Sequence, residues 1–163
     1  MSEQHELPAE SGFDPRALPE SNATSLPDPY RAANQQRWNR RLGEHAGLTH
    51  YGVLLTRIAP QGQSSYRHAH SHQDEFVYVL EGEVELETNA GVQRLTAGLC
   101  AGFPAGTDNA HRFVNRSSAD VLLLVVGDRT AGDEVAYPDI DLHGQPGPDG
   151  RYRFTRKDGT PLP

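Results

Sequence analysis

Most obvious in this 163-residue sequence is what it has little of. There is one cysteine, Cys100, so no disulfide framework can form within the chain, which suits a reducing compartment. Long apolar runs are missing too. The most apolar one, Val121 to Val126, is far too short to span a bilayer and reads as a buried strand. The N-terminal stretch "MSEQHELPAESGFDP" has neither a basic region nor an apolar one, so it does not read as a signal peptide. Positive charge is short as well. The net charge of −7 argues against binding a phosphate backbone. These shortages predict a cytoplasmic protein that contacts neither membrane nor nucleic acid. Mean hydropathy is −0.66, so much of the chain is expected outside one apolar core.

Proline is scarce only in the middle. Of twelve prolines, five precede residue 30 and five follow residue 137, leaving Pro60 and Pro104 between. Proline cannot donate to a sheet ladder, so the middle is where a sheet can form. This divides the chain into an N-terminal arm over 1–47, a β-domain over 48–127 and a C-terminal tail over 128–163. The arm reads as holding a short helix, with Asp28 as cap, Pro29 at the first helical position and Gly43 at the end. Trp38 and Leu42 would share its buried face, and Arg37, Arg40 and Arg41 read as a solvated face, with a basic site as the alternative. From residue 48 onward, short apolar or alternating runs are separated by turn signals. That pattern predicts an all-β sandwich or barrel, with "ETNAGVQ" as a hairpin tip.

The chemistry concentrates in "SSYRHAHSHQDEFVYVLEGEVEL". Residues two apart on a strand point the same way, so His68 and His70 share a face with Tyr66. Buried imidazoles need a partner, and a divalent transition metal is a good one. Glu75 follows the polar loop "SHQD", which lets it begin the next strand facing inward, ahead of Val77 and Val79. Asp74 is an alternative carboxylate. His111 opens a later strand and shares its side with Phe113 and Asn115. Three histidines and a carboxylate make a site with open coordination positions. His72 reads as solvent-facing or as a support for the ligands, and Cys100 as an inert core residue. His5, His45, His50 and His143 read as surface residues.

The spacing of these residues resembles the cupin family. Gly62, five residues, His68-Ala69-His70, four residues, Glu75, six residues and Gly82 match its first motif. Gly98, five residues, Pro104-Ala105-Gly106, then His111, three residues and Asn115 match the second, with four residues rather than two between Gly106 and His111. The resemblance covers about residues 52–127, and the C-terminal stretch looks like that of stand-alone bacterial cupins. It implies a double-stranded β-helix, or jelly-roll barrel. It also implies one divalent ion (Zn, Fe, Mn, Ni or Cu) on His68, His70, Glu75 and His111. Tyr66, Tyr78, Phe103 and Phe113 become substrate-pocket residues, with Arg67 and Gln73 nearby. Single cupin domains often cover their apolar outer face by pairing, so a homodimer is expected. Three functions remain open at this point. They are a metalloenzyme of dioxygenase, isomerase, decarboxylase or lyase type on a small molecule, a ligand-binding or sensing module without turnover, and a metal-free structural protein.

Overall fold

Alternation of apolar and polar residues sets the strands, and turn glycines join them. The computed structural model describes residues 11–162, so His5 lies outside the described residues. Its strands are β1 (Arg37–Arg41), β2 (Tyr51–Ile58), β3 (Ala69–His70), β4 (Glu75–Glu81), β5 (Glu83–Thr88) and β6 (Gly91–Thr96). They continue with β7 (Cys100–Phe103), β8 (Arg112–Val114), β9 (Val121–Asp128), β10 (Val135–Tyr137), β11 (Leu142–Pro146) and β12 (Tyr152–Thr155). Among the described residues, helix is confined to short turns at Pro15–Ala17, Tyr30–Asn34 and Leu42–His45. Among the described residues, no helix is long and apolar enough to cross a membrane.

Three antiparallel sheets make the all-β jelly roll. Their orders are β1-β2-β9-β4-β7, β12-β11-β10-β3 and β6-β5-β8. In β4, Val77 and Val79 are buried while Phe76, Tyr78 and Leu80 are exposed, the period-2 signature of a one-sided strand. Burying each valine contributes roughly 1.5–3 kcal/mol. They pack with Ile58, Leu123, Phe103 and Phe113 in the main core. The β5–β6 hairpin turns at Asn89-Ala90, with Gly91 at φ 120°, where the sequence places the tip. Gly82 is needed between β4 and β5. Its φ is 82°, and a Cβ there would lie 2.9 Å from the Asp120 carbonyl oxygen.

The flanks differ from the sequence expectation. The helix expected over residues 28–43 is instead a 3-10 turn followed by β1. Helix propensity is a weak prior, and here the free edge of β2 takes Arg37–Arg41 as a partner along its length. Trp38 packs under the Arg57 guanidinium, 4.3 Å from its ring centre, rather than sharing a helix face with Leu42. Arg40 and Arg57 both bond Glu20, at 2.7 and 2.9 Å, which fastens the N-terminal segment to the sheet. Residues beyond 128 likewise form strands rather than a loose tail: β10 pairs with β3, and β11 and β12 extend that sheet. Leu26, Val135, Tyr137 and Leu142 form a second apolar cluster beneath it. Cys100 is exposed, correcting the core reading. It pairs with outward-facing Tyr78, so inward phase falls on Ala101 and Phe103.

Candidate metal centre

The two short motifs meet where these sheets converge. His68 and His111 form an isolated antiparallel bridge, exchanging backbone bonds of 3.1 and 2.9 Å. His70 pairs with Val135 of β10, and Glu75 sits between Phe103 of β7 and Gly127 of β9. One ligand atom from each of His68, His70 and Glu75 lies within 4.8 Å of the other two. Glu75 Oε2 is 4.0 Å from His68 Nε2 and 3.9 Å from His70 Nε2. Two donors that bind one ion at about 2.1 Å stand roughly 3 to 4 Å apart, so the spacing fits a transition metal. His111 reaches the cluster through Glu75, its Nε2 lying 3.2 Å from Oε1.

Two of the three rings are held by their other edge. His68 Nδ1 sits 2.9 Å from the Tyr66 carbonyl oxygen, and His70 Nδ1 sits 2.6 Å from Asp133 Oδ2. Bonds of this kind fix the tautomer and leave the Nε2 lone pairs free for the shared point. His111 is stacked on Phe103, with ring centres 3.4 Å apart, and its buried Nδ1 has no partner. Burial brings His68 down to about 4, although Glu75 acts against the shift, so His68 is neutral at physiological pH. For Glu75, burial alone pushes the carboxyl up. The His111 hydrogen bond and the neighbouring imidazoles outweigh it and bring the group down to about 2. A neutral imidazole and an ionised carboxylate are the protonation states that metal binding requires.

Asp133 was not legible in the sequence. It is buried, and burial favours its neutral form, but bonds from Tyr152 and His70 more than offset this and hold the carboxyl below its ordinary range. Its Oδ1 also accepts from the backbone N–H groups of His72 and Gln73, at 2.9 and 3.1 Å. One carboxylate therefore orients a candidate ligand and closes the loop that turns Glu75 inward. The only signal is the acidic pair Asp133-Glu134 in the glycine-containing stretch after β9.

The remaining candidates fall in different places. Asp74 is exposed and accepts from Ala105 N–H at 2.7 Å, away from the cluster. The His72 ring is exposed beside Ser71 Oγ. Phe113 lines the cavity over the three donors, whereas Phe103 backs His111. Tyr66 lies in the second apolar cluster, edge-on to Tyr30, and contributes its carbonyl to His68. Tyr78 is on the outer face of β4, because Val77 and Val79 take the inward phase. Arg67 forks onto Asp139 at 2.8 Å, and Gln73 donates to the Thr130 carbonyl at 3.0 Å.

The cavity has a volume of about 210 Å³ and is lined by His68, His70, Glu75 and Tyr137, among others. Residues Asn34 and Arg37 from the N-terminal segment line it too. Burial pushes the Tyr137 hydroxyl up to about 12, so it keeps its proton and can donate into the cavity.

A Cupin domain family model matches residues 54–127. A solved structure from Silicibacter pomeroyi, described as a sugar phosphate isomerase from a cupin superfamily, is 41% identical with a TM-score of 0.89. The match covers 93% of this chain and 96% of that one. A protein from Acidithiobacillus ferrooxidans, named as a candidate sugar phosphate isomerase, is 29% identical with a TM-score of 0.69, over 78% of this chain and 80% of that one. A polyketide cyclase from Streptomyces resistomycificus, 19% identical over 72% and 78% with a TM-score of 0.60, shares the fold. No curated protein matches the chain at a significant level.

Proposed function

The chain belongs to the cupin superfamily, and on that premise we propose that it is a metal-dependent isomerase of a small hydroxylated carbonyl compound. The observation that carries this reading is the convergence of His68, His70 and Glu75 at one wall of a small cavity. His111 is the fourth ligand in this reading. A divalent transition ion bound there supplies Lewis-acid polarisation of carbonyl and hydroxyl oxygens. Isomerisation is favoured over the other reactions open to this fold because the Silicibacter pomeroyi isomerase matches nearly the whole chain.

The chain's own residues support that chemistry. Glu75, ionised, serves as a ligand and not as a proton donor. Tyr137, protonated and buried, is placed to hydrogen-bond a substrate oxygen. Val77, Phe113 and Leu123 form an apolar wall that limits water around the reacting carbons. The test is proton exchange in D₂O, followed by NMR, on a panel of aldoses and ketoses with and without a terminal phosphate. Metal-loaded protein should interconvert one pair and place deuterium next to the carbonyl. Chelation should stop this and added metal restore it. Tight binding of a panel member without exchange or conversion would favour the sensing module.

Separately, we propose that the chain is a homodimer, paired over the outer face of β4, where Phe76, Tyr78 and Leu80 are exposed beside Leu99. Light scattering at micromolar concentration should give twice the chain mass, and Tyr78→Glu should give the monomer. A wild-type monomer would refute the pairing and leave the metal site untouched.

A further inference from the structure

The end of the cavity formed by residues before 40 carries polar atoms that the chain leaves unmatched. Arg37 donates through Nη1 to the Ser64 carbonyl at 2.8 Å, but its buried Nε has no partner. Among the described residues, no carboxylate lies within 4.0 Å of its guanidinium nitrogens, although Arg40 and Arg57 share Glu20 and Arg41 has Glu44. Asn34 is only 1% exposed, and its Oδ1 likewise has no partner. Glu75 across the cavity acts on Arg37 only through space, so the guanidinium keeps a buried edge with no contacting carboxylate. Such an edge is costly, and so is a buried carbonyl without a donor. The spare groups differ in kind: a charged donor that matches an oxyanion, and an acceptor that matches a hydroxyl.

The fold holds this pair in place. Arg37 begins β1 opposite Ile58, and Ala59 N–H bonds the Gln36 carbonyl at 3.0 Å. Gly62 packs against Gln36 so closely that a Cβ would lie 2.7 Å from the Gln36 Cβ. The first glycine of the histidine motif therefore lets the backbone close against the residue before Arg37.

We propose that Arg37 and Asn34 form a subsite for a small hydroxylated anion, with Arg37 binding its oxyanion and Asn34 accepting from a hydroxyl. The rest of the molecule extends toward His68, His70 and Glu75, and this orientation rests on the reading of the cavity as a substrate site. Carboxylate and phosphate share the chemistry that Arg37 recognises.

Calorimetric titration of the full chain with D-ribose, D-ribonate and D-ribose 5-phosphate tests this, in both metal-loaded and chelator-stripped forms. At least one charged probe should bind about 10- to 100-fold more tightly than ribose in both forms, as expected for a charge-assisted bond, and the better one separates phosphate from carboxylate. Arg37→Gln should abolish the preference, Arg37→Lys should keep part of it, and Asn34→Ala should weaken every bound probe severalfold. Circular dichroism checks folding, and Arg37→Lys decides the case if Arg37→Gln does not fold. The proposal fails if ribose binds as tightly as both charged probes. It fails equally if nothing binds at millimolar concentration, or if the preference survives intact in the variants. Metal content separates the two readings. A chain that takes up no metal but keeps the preference refutes the isomerase and retains the subsite, whereas a metal-loaded chain without the preference does the reverse.

Discussion

The cavity has two ends, made by different parts of the chain and finished differently. At the imidazole end, the strands of the barrel supply His68, His70 and Glu75, and both of these histidines are tied through Nδ1 to a partner inside the protein. At the arginine end, the N-terminal segment supplies Arg37 and Asn34, each with a buried atom left without a partner. The difference teaches what each end is prepared for. Side chains tied at the back present lone pairs to one point in front, as metal ligands must. Side chains with spare hydrogen-bonding capacity await a ligand that brings its own.

The largest expected effect breaks the first end alone. His70→Ala should weaken metal binding by about 1,000-fold, roughly one ligand's share of the 10–16 kcal/mol available to a complete structural zinc site. Calorimetry with competing chelator measures it, and retained affinity would remove His70 from the ligand set.

Next is acid sensitivity of the metal-free protein. His68 titrates at about 4 when folded against an ordinary value of 6.5, so between those values the unfolded chain binds the extra proton. Stability from this group is thus complete above pH 6.5, falls as pH drops toward 4, and is flat below. The loss is on the order of 3 kcal/mol. Urea midpoints across that window measure it, and His68→Gln should flatten the slope. An unchanged slope in the variant would show that His68 is not buried neutral.

A smaller effect separates the ends. Asp133→Asn should lower metal affinity by about 10- to 100-fold through the orientation of His70, whereas Arg37→Gln, which removes a positive charge near Glu75 and no ligand contact, should not lower it. Equal losses in both variants would mean that the ends are not independent. The smallest is Arg41→Ala, which removes an exposed pair with Glu44 and should shift stability by no more than about 0.5 kcal/mol.

The imidazole end was legible in the sequence because strand alternation and motif spacing act locally. His68 and His70 are two apart, and the polar loop before Glu75 resets the phase of β4. Asn115 shows the same economy. Fully buried, it donates to the Ile58 and Ala119 carbonyls at 2.9 and 2.8 Å and accepts from Ser117, which locks the corner after β8. The arginine end was not legible. Residues 28–43 contain helix formers, and only the open edge of β2, brought close by the fold, makes Arg37–Arg41 a strand. Asp133 was hidden for a similar reason, since its bond to His70 spans 63 positions. Cys100 required the β4–β7 register, which pairs it with an outward tyrosine.

The account depends most on an ion held at the imidazole end. Elemental analysis of the chain purified without added metal, beside its His70→Ala variant, tests this directly. We predict close to one equivalent of a divalent transition metal in the wild type and a small fraction of that in the variant. A wild-type protein that carries no such metal, and takes none up when Zn, Fe, Mn, Ni and Cu are offered in turn, would contradict it.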